Sequence, residues 1–258
     1  MAERIWDRFL TEQDKAHVAA SVRNPVGFGE NPAVLMIDNY RWVIGDEPQP
    51  LLEQIKTWPG GTGLAGWEAL ERIKELLAVA RELRIPVCHV TGLDDESSGV
   101  PGWSVRRDGG RRDARKGGPQ TPEAQDRYRR RYDIVEQAAP VPGEVVLYKT
   151  SPSAFWGTPL VGQLNRLGID TLIVGGESTS GCVRASVVDG TTYRYRMIVV
   201  EECVYDRHEA CHAINLFDMH QKYADVLPLA EVIQWMRDWR ARHPLTAEER
   251  PLAGAASR

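Results

Sequence analysis

The chain is poor in cysteine and lacks every spacing that would organise it. Its four cysteines (Cys88, Cys182, Cys203 and Cys211) form no C-x-x-C pair and no dense cluster. That excludes a secreted disulfide framework and suits a reducing cytosol. No window approaches the eighteen or so uncharged residues of a membrane span. The first residues, Met1-Ala-Glu-Arg-Ile-Trp-Asp7, contain no apolar run that could serve as a signal peptide. An excess of basic residues is missing too, since the net charge is −4, so no nucleic-acid footprint covers the chain as a whole. No G-x-G-x-x-G follows the first apolar run and no P-loop occurs, which leaves nucleotide phosphates without their motif. These absences describe a cytoplasmic protein with no membrane or nucleic-acid partner.

What is present is ordinary in amount and ordered in pattern. The 258 residues are 42% hydrophobic and 26% charged, as in soluble globular domains. Continuous apolar runs read as buried strands at Ala33–Asp38, Ile85–Val90, Glu144–Lys149, Ile169–Val174, Met197–Val204 and Asp225–Pro228. Between them, residues such as Trp67, Leu70, Ile73, Leu77 and Ala80 recur at helical spacing. Strands alternating with helices predict one α/β domain over residues 31–242 with a mostly parallel sheet. Residues 1–30 read as an N-terminal arm, disordered or packed on a neighbouring subunit, and 243–258 as a tail. The stretch 94–143 carries Gly109–Gly118 and Arg127–Tyr132, two basic clusters. Long loops of this kind are often functional covers. Too few aromatics accompany the arginines for a base-stacking platform, which favours a solvated loop or subunit contact over RNA binding.

Chemistry concentrates in Leu172-Ile-Val-Gly-Gly-Glu-Ser-Thr-Ser-Gly-Cys182. An apolar strand stops at two glycines, a polar turn follows, and Cys182 opens a helical segment. A thiol at a helix N-terminus is favoured as thiolate, although a packed cysteine in such a turn is equally ordinary. In an open parallel sheet ligands bind beyond the C-terminal strand ends. There the first strand places Asp38 and the third Lys149. If the strands lie close enough, Asp38 supplies a base for the thiol and Lys149 a positive charge. Singly, each has a bland reading as a loop hydrogen-bonder or a snorkelling lysine. His89 could instead pair with Cys182, or sit packed in its strand. Cys203, His208, Cys211 and His212 suggest a metal set, but no second cysteine pair or carboxylate–histidine pairing completes it. Neither metal nor cofactor is expected.

Asp38 behind an apolar strand, Lys149 in Tyr-Lys-Thr-Ser-Pro-Ser-Ala-Phe-Trp-Gly-Thr, and Gly-Glu-Ser-Thr-Ser-Gly-Cys182-Val-Arg resemble the isochorismatase-like cysteine hydrolases. The resemblance runs from about Ala33 to about Trp239 and is greatest to the N-carbamoylsarcosine amidohydrolase branch. It implies a three-layer α/β/α sandwich with a six-stranded parallel sheet of Rossmann-type strand order, assembled as a homo-oligomer, dimer or tetramer. It implies an Asp38–Lys149–Cys182 triad that hydrolyses a small linear carbamoyl or ureido compound and releases ammonia. The leading substrates are N-carbamoylsarcosine-like compounds and biuret or triuret, with maleamate-like monoamides next. A cis peptide is implied at Glu177–Ser178, aiming the backbone N–H groups of Ser178 and Cys182 at an oxyanion. Arg207 matches the arginine that holds a substrate carboxylate, with Asn39, Tyr40, Phe155, Trp156 and the region of Gln221 expected around the pocket. Glu177 stands where a smaller residue is usual. No histidine lies between Asp38 and His89, which argues against a metal-dependent nicotinamidase, and the presence of Cys182 argues against vinyl-ether cleavage. A non-catalytic, redox-sensing use of Cys182 is the alternative from another class.

Overall fold

The structure, a computed structural model, describes residues 4–93 and 121–245. Six strands form an all-parallel sheet: β1 (Pro32–Ile37), β2 (Val87–Gly92), β3 (Val145–Lys149), β4 (Thr171–Glu177), β5 (Arg196–Tyr205) and β6 (Asp225–Leu227). Their spatial order is β3-β2-β1-β4-β5-β6, which reverses direction between β1 and β4. The described helices are α1 (Glu12–Ala20), α2 (Arg41–Ile44), α3 (Leu51–Thr57), α4 (Leu64–Glu82), α5 (Pro122–Arg129), α6 (Leu160–Arg166), α7 (Arg184–Thr192), α8 (Glu209–Lys222) and α9 (Leu229–Arg242).

The apolar runs are continuous because the strands are covered on both faces. Every residue of β1 is buried. Ala33, Leu35 and Ile37 pack with Leu160, Leu164, Val187, Leu216 and Met219 from α6, α7 and α8. Val34 and Met36 face the other layer, with Leu70, Ile73, Leu77, Val232 and Met236 from α4 and α9. Each layer therefore takes alternate residues of a strand and one stripe of each helix.

β4 runs further than its apolar residues do. It continues through Gly175 and Gly176 to Glu177, so the two glycines lie inside the strand. Gly176 has φ +121°, and a Cβ there would fall well inside contact distance of the Ile37 carbonyl. Only glycine lets β4 press against β1 at this level. The register with β5 slips between Val174 and Gly176, as at a β-bulge.

The N-terminal arm packs on its own chain, which the sequence did not foretell. Trp6 is buried beside Phe217 and His220, Arg23 pairs with Asp225, and Phe28 stacks on Trp235 at 3.9 Å. Of the basic clusters, Gly109–Gly118 lies outside the described residues, as does the tail from 246 onwards. Arg131 in the second cluster is not a solvated charge. It is buried, with its guanidinium 3.7 Å from the Tyr128 ring centre and 4.7 Å from that of Tyr132.

Candidate active site

The strand order reverses between β1 and β4, so the helices that follow these strands leave on opposite faces and open a crevice at their C-terminal ends. Asp38 follows β1 there, fully buried, with φ +55°, a left-handed conformation that aspartate tolerates better than most residues. Lys149 ends β3, which is not a neighbour of β1. The two strands are separated by β2, roughly 10 Å at about 4.8 Å per strand spacing. In register with Lys149 on β2 is Gly92, where the absence of a side chain leaves room for the Tyr132 ring. The lysine stem spans the gap, and its Nζ lies 2.7 Å from Asp38 Oδ2. The same ammonium donates to the Ser151 carbonyl at 3.0 Å and lies 3.4 Å from Cys182 Sγ. Three side chains from three strand ends are thereby joined through one nitrogen.

Cys182 does not open an α-helix. It lies within a π-turn, Thr179–Val183, that leads into α7. The turn is held from several sides. Ser180 donates to Asp206 Oδ2 from its backbone N–H and its hydroxyl, at 2.9 and 2.6 Å. Thr179 Oγ1 lies 2.8 Å from His212 Nδ1, and Ser186 donates to the Cys182 carbonyl at 2.7 Å. The peptide between Glu177 and Ser178 is cis.

Electrostatics correct the expectation of a resting thiolate. Burial raises the Cys182 thiol well above its ordinary range and the Asp38 charge raises it further, with Lys149 offsetting only in part. The thiol is therefore protonated at neutral pH and needs a base. Burial also raises Asp38, against the lowering pull of Lys149. Burial pulls Lys149 down, but the charges of Asp38 and Cys182 outweigh it and hold the group as ammonium. Glu177 is pushed up to about 8 by burial and by Asp38, despite Arg207.

The residues expected around the pocket divide sharply. Tyr40 is buried beside this group, its ring edge-on to Tyr132 at 5.3 Å, and its hydroxyl is raised by burial and then by Asp38. Asn39 is buried but committed, since its Oδ1 accepts from the Tyr205 hydroxyl at 3.1 Å. Arg207 reaches across the crevice to the Gly60 carbonyl at 2.8 Å, with Nη2 3.7 Å from Glu177 Oε1. Phe155 is a core residue, 5% exposed and stacked near Tyr193 and Tyr195, whereas its neighbour Trp156 is 73% exposed. Gln221 does not join the site. It sits near the end of α8, and that helix starts beside the C-terminal end of β5 and returns some 20 Å towards the opposite edge. There Gln221 lines a cleft with Asp14, His17 and Phe217.

His89 is not a partner of Cys182. Its Nε2 lies 2.9 Å from Glu144, at the entrance to β3. Among the described residues no group of three or more His, Cys, Asp or Glu side chains is placed to hold a metal ion. No helix among them is long and apolar enough to cross a membrane. Asp206, Tyr205 and the Thr179–His212 contact escaped sequence reasoning. The cue for the first two was the one that found Asp38, a polar side chain at the end of an apolar strand.

Fold and site define a doubly wound α/β protein with a thiol, a carboxyl and an ammonium gathered at its switch point. Comparison with known proteins narrows this. Residues 62–231 match the family model for the isochorismatase domain. Over 216 residues the chain is 37% identical to a maleamate amidohydrolase of Pseudomonas putida, covering 82% of this chain and 90% of the relative. Over 219 residues it is 32% identical to an N-carbamoylsarcosine amidase of an Arthrobacter species, covering 82% and 73%. The structure of a cysteine hydrolase from Pseudomonas syringae superposes with a TM-score of 0.65 at 19% identity, over 84% of this chain and 95% of that one, a likeness of fold. The chain belongs to the isochorismatase family, and its named relatives support hydrolysis of amides.

Proposed function

We propose that this protein hydrolyses the terminal C–N bond of a small linear amide or ureide through Cys182, releasing ammonia. The observation that carries the reading is the Lys149 ammonium, 2.7 Å from Asp38 and 3.4 Å from the Cys182 sulfur. A thiol held protonated by burial is a poor nucleophile until a base removes its proton. Asp38 takes that proton as the sulfur attacks the carbonyl carbon, and Lys149 keeps the carboxyl oriented and balances the transient negative charge. Asp38 then returns the proton to the leaving nitrogen as the C–N bond breaks, which yields ammonia and an S-acyl enzyme. Water attacks the acyl carbon, giving its proton to Asp38. The C–S bond breaks, and the departing sulfur regains a proton from Asp38. The amides of Gly181 and Val183 are bonded to the Ser178 carbonyl and that of Ser180 to Asp206, which supports assigning the oxyanion to the amides of Ser178 and Cys182.

Arg207 at the rim supports a substrate whose far end presents a carboxylate or a urea-type carbonyl to a guanidinium. The names of the two relatives favour carbamoyl amino acids and diacid monoamides as the first compounds to try. The decisive screen measures ammonia release from maleamate, N-carbamoylsarcosine, biuret and triuret. Wild-type protein is expected to turn over at least one of them, and Cys182→Ala none. Activity retained in Cys182→Ala would sink the nucleophile assignment. We also infer a homo-oligomer, supported by the exposed Trp156 and Tyr148 near the site. Light scattering showing only the 28.9 kDa monomer would refute it.

A further inference from the structure

Amide hydrolysis gives Glu177 no task, yet this carboxyl closes β4 directly before the nucleophile turn. Its side chain is 6% exposed and lies 3.7 Å from Arg207 Nη2, the group read above as the anchor for the far end of the substrate. Glu177 is surrounded by charged and titratable groups from every element of the site. Asp38 from the end of β1 and Asp206 from the end of β5 repel its negative form, while Arg207 and Lys149 attract it. Tyr40, Cys182 and Tyr205 also feel its charge.

The two forms of this carboxyl present different surfaces beside Arg207. Ionised, the pair offers guanidinium donors next to a carboxylate acceptor. A ureide matches that pattern, with its carbonyl on Arg207 and its N–H groups on Glu177. Protonated, the pair offers guanidinium donors next to an O–H donor, the pattern that matches two carboxylate oxygens. An anionic substrate meeting ionised Glu177 would place two carboxylates side by side in a buried site, which is strongly disfavoured. We propose that Glu177 sets the substrate class at Arg207 through its protonation. A substrate carboxylate binds together with one proton from solvent, which stays on Glu177 throughout turnover, whereas a neutral ureide binds the ionised pair. The inference rests on the amidohydrolase reading for its kinetic test but not for its binding test. With burial and Asp38 holding Glu177 near 8, the change of class falls inside the working pH range.

The kinetic test follows KM and kcat separately for maleamate and biuret between pH 6 and 9.5. For wild type, the KM of maleamate is expected to be flat at the acid end and to rise about tenfold per pH unit beyond pH 8, the slope of one linked proton. The KM of biuret is expected to show no such rise. In Glu177→Gln the neutral amide cannot take up a proton, and the maleamate KM is expected to lose its slope. The binding test uses Cys182→Ala protein with native Glu177, titrated with maleamate by calorimetry at pH 8.5 in two buffers of different ionisation heat. With Glu177 near 8, about a quarter of the free protein already carries the proton at pH 8.5, so about three-quarters of a proton is expected to be taken up per maleamate bound, and close to none with Glu177→Gln added. A maleamate KM slope that survives in Glu177→Gln overturns the proposal. So does binding without proton uptake, or no binding of maleamate at pH 6. Failure of wild type to release ammonia from any compound would refute the hydrolase reading alone, and the calorimetric result would still decide the role of Glu177.

Discussion

Replacing Lys149 by methionine tests the site through stability as well as chemistry. Methionine keeps most of the buried stem but removes the ammonium 2.7 Å from Asp38. Asp38 is fully buried, and the groups that hydrogen-bond its carboxyl are the Lys149 ammonium and the Cys182 thiol, of which only the ammonium carries a charge. Removing one partner of such a buried pair leaves an uncompensated charge, which typically costs about 3–5 kcal/mol. Asp38 responds by binding a proton, because its one close positive neighbour is gone and burial already raises it. A protonated Asp38 cannot accept the Cys182 proton, so ammonia release is expected to be lost along with stability. For a chain of this size the melting temperature should fall by roughly 2–4 °C per kcal/mol, or about 6–20 °C in all. The double substitution Asp38→Asn/Lys149→Met removes both charges, and asparagine accepts the left-handed backbone that Asp38 occupies. It is expected to recover at least half of the lost stability and none of the activity. Urea unfolding at pH 7 of the wild type, both singles and the double closes the cycle. A Lys149→Met protein within about 1 kcal/mol of wild type, or a double less stable than either single, would refute the argument that Lys149 compensates a buried Asp38 charge.

Other outcomes follow from the same geometry. Gly176→Ala should destabilise by at least about 3 kcal/mol in urea unfolding, because the added carbon meets the Ile37 carbonyl in a backbone with φ +121°; a loss under 1 kcal/mol would contradict the close approach of β4 to β1. Alkylation of Cys182, followed by peptide mass spectrometry, should accelerate only well above pH 9, because burial and Asp38 hold the thiol protonated; a rate already at its plateau by pH 7 would restore the resting thiolate. Gln221→Ala should leave kcat/KM within twofold of wild type, since Gln221 lines the cleft with Asp14 and Phe217; a tenfold loss would place it in the pocket after all. Glu177 bears on stability with a definite sign. Its folded value near 8 lies above the ordinary 4.5, so its contribution is complete below pH 4.5 and is lost as pH rises through 8. That loss, on the order of a few kcal/mol, should be absent from Glu177→Gln when unfolding free energies at pH 5 and 8.5 are compared.

The sequence by itself determined the strands, their parallel pairing as a class, and the three chemical groups. Continuous apolar runs report burial on both faces, and burial on both faces is what a parallel sheet between two helical layers imposes on β1. Asp38, Lys149 and Cys182 were legible because each follows such a run or its turn. Only the tertiary structure decided which of the expected neighbours meet them. Phe155 and Gln221 belong to the right segments but face the core and the far edge of the sheet, and one chain segment does not record the direction of the next. The protonation of the opening thiol was likewise undecided in one dimension. A cysteine beside a helix start reads as a thiolate, but the dielectric and charges around Cys182 come from β1, β3 and β4 together. Burial outweighs the helix end there, so Cys182 rests as a thiol with the Asp38 carboxyl facing it.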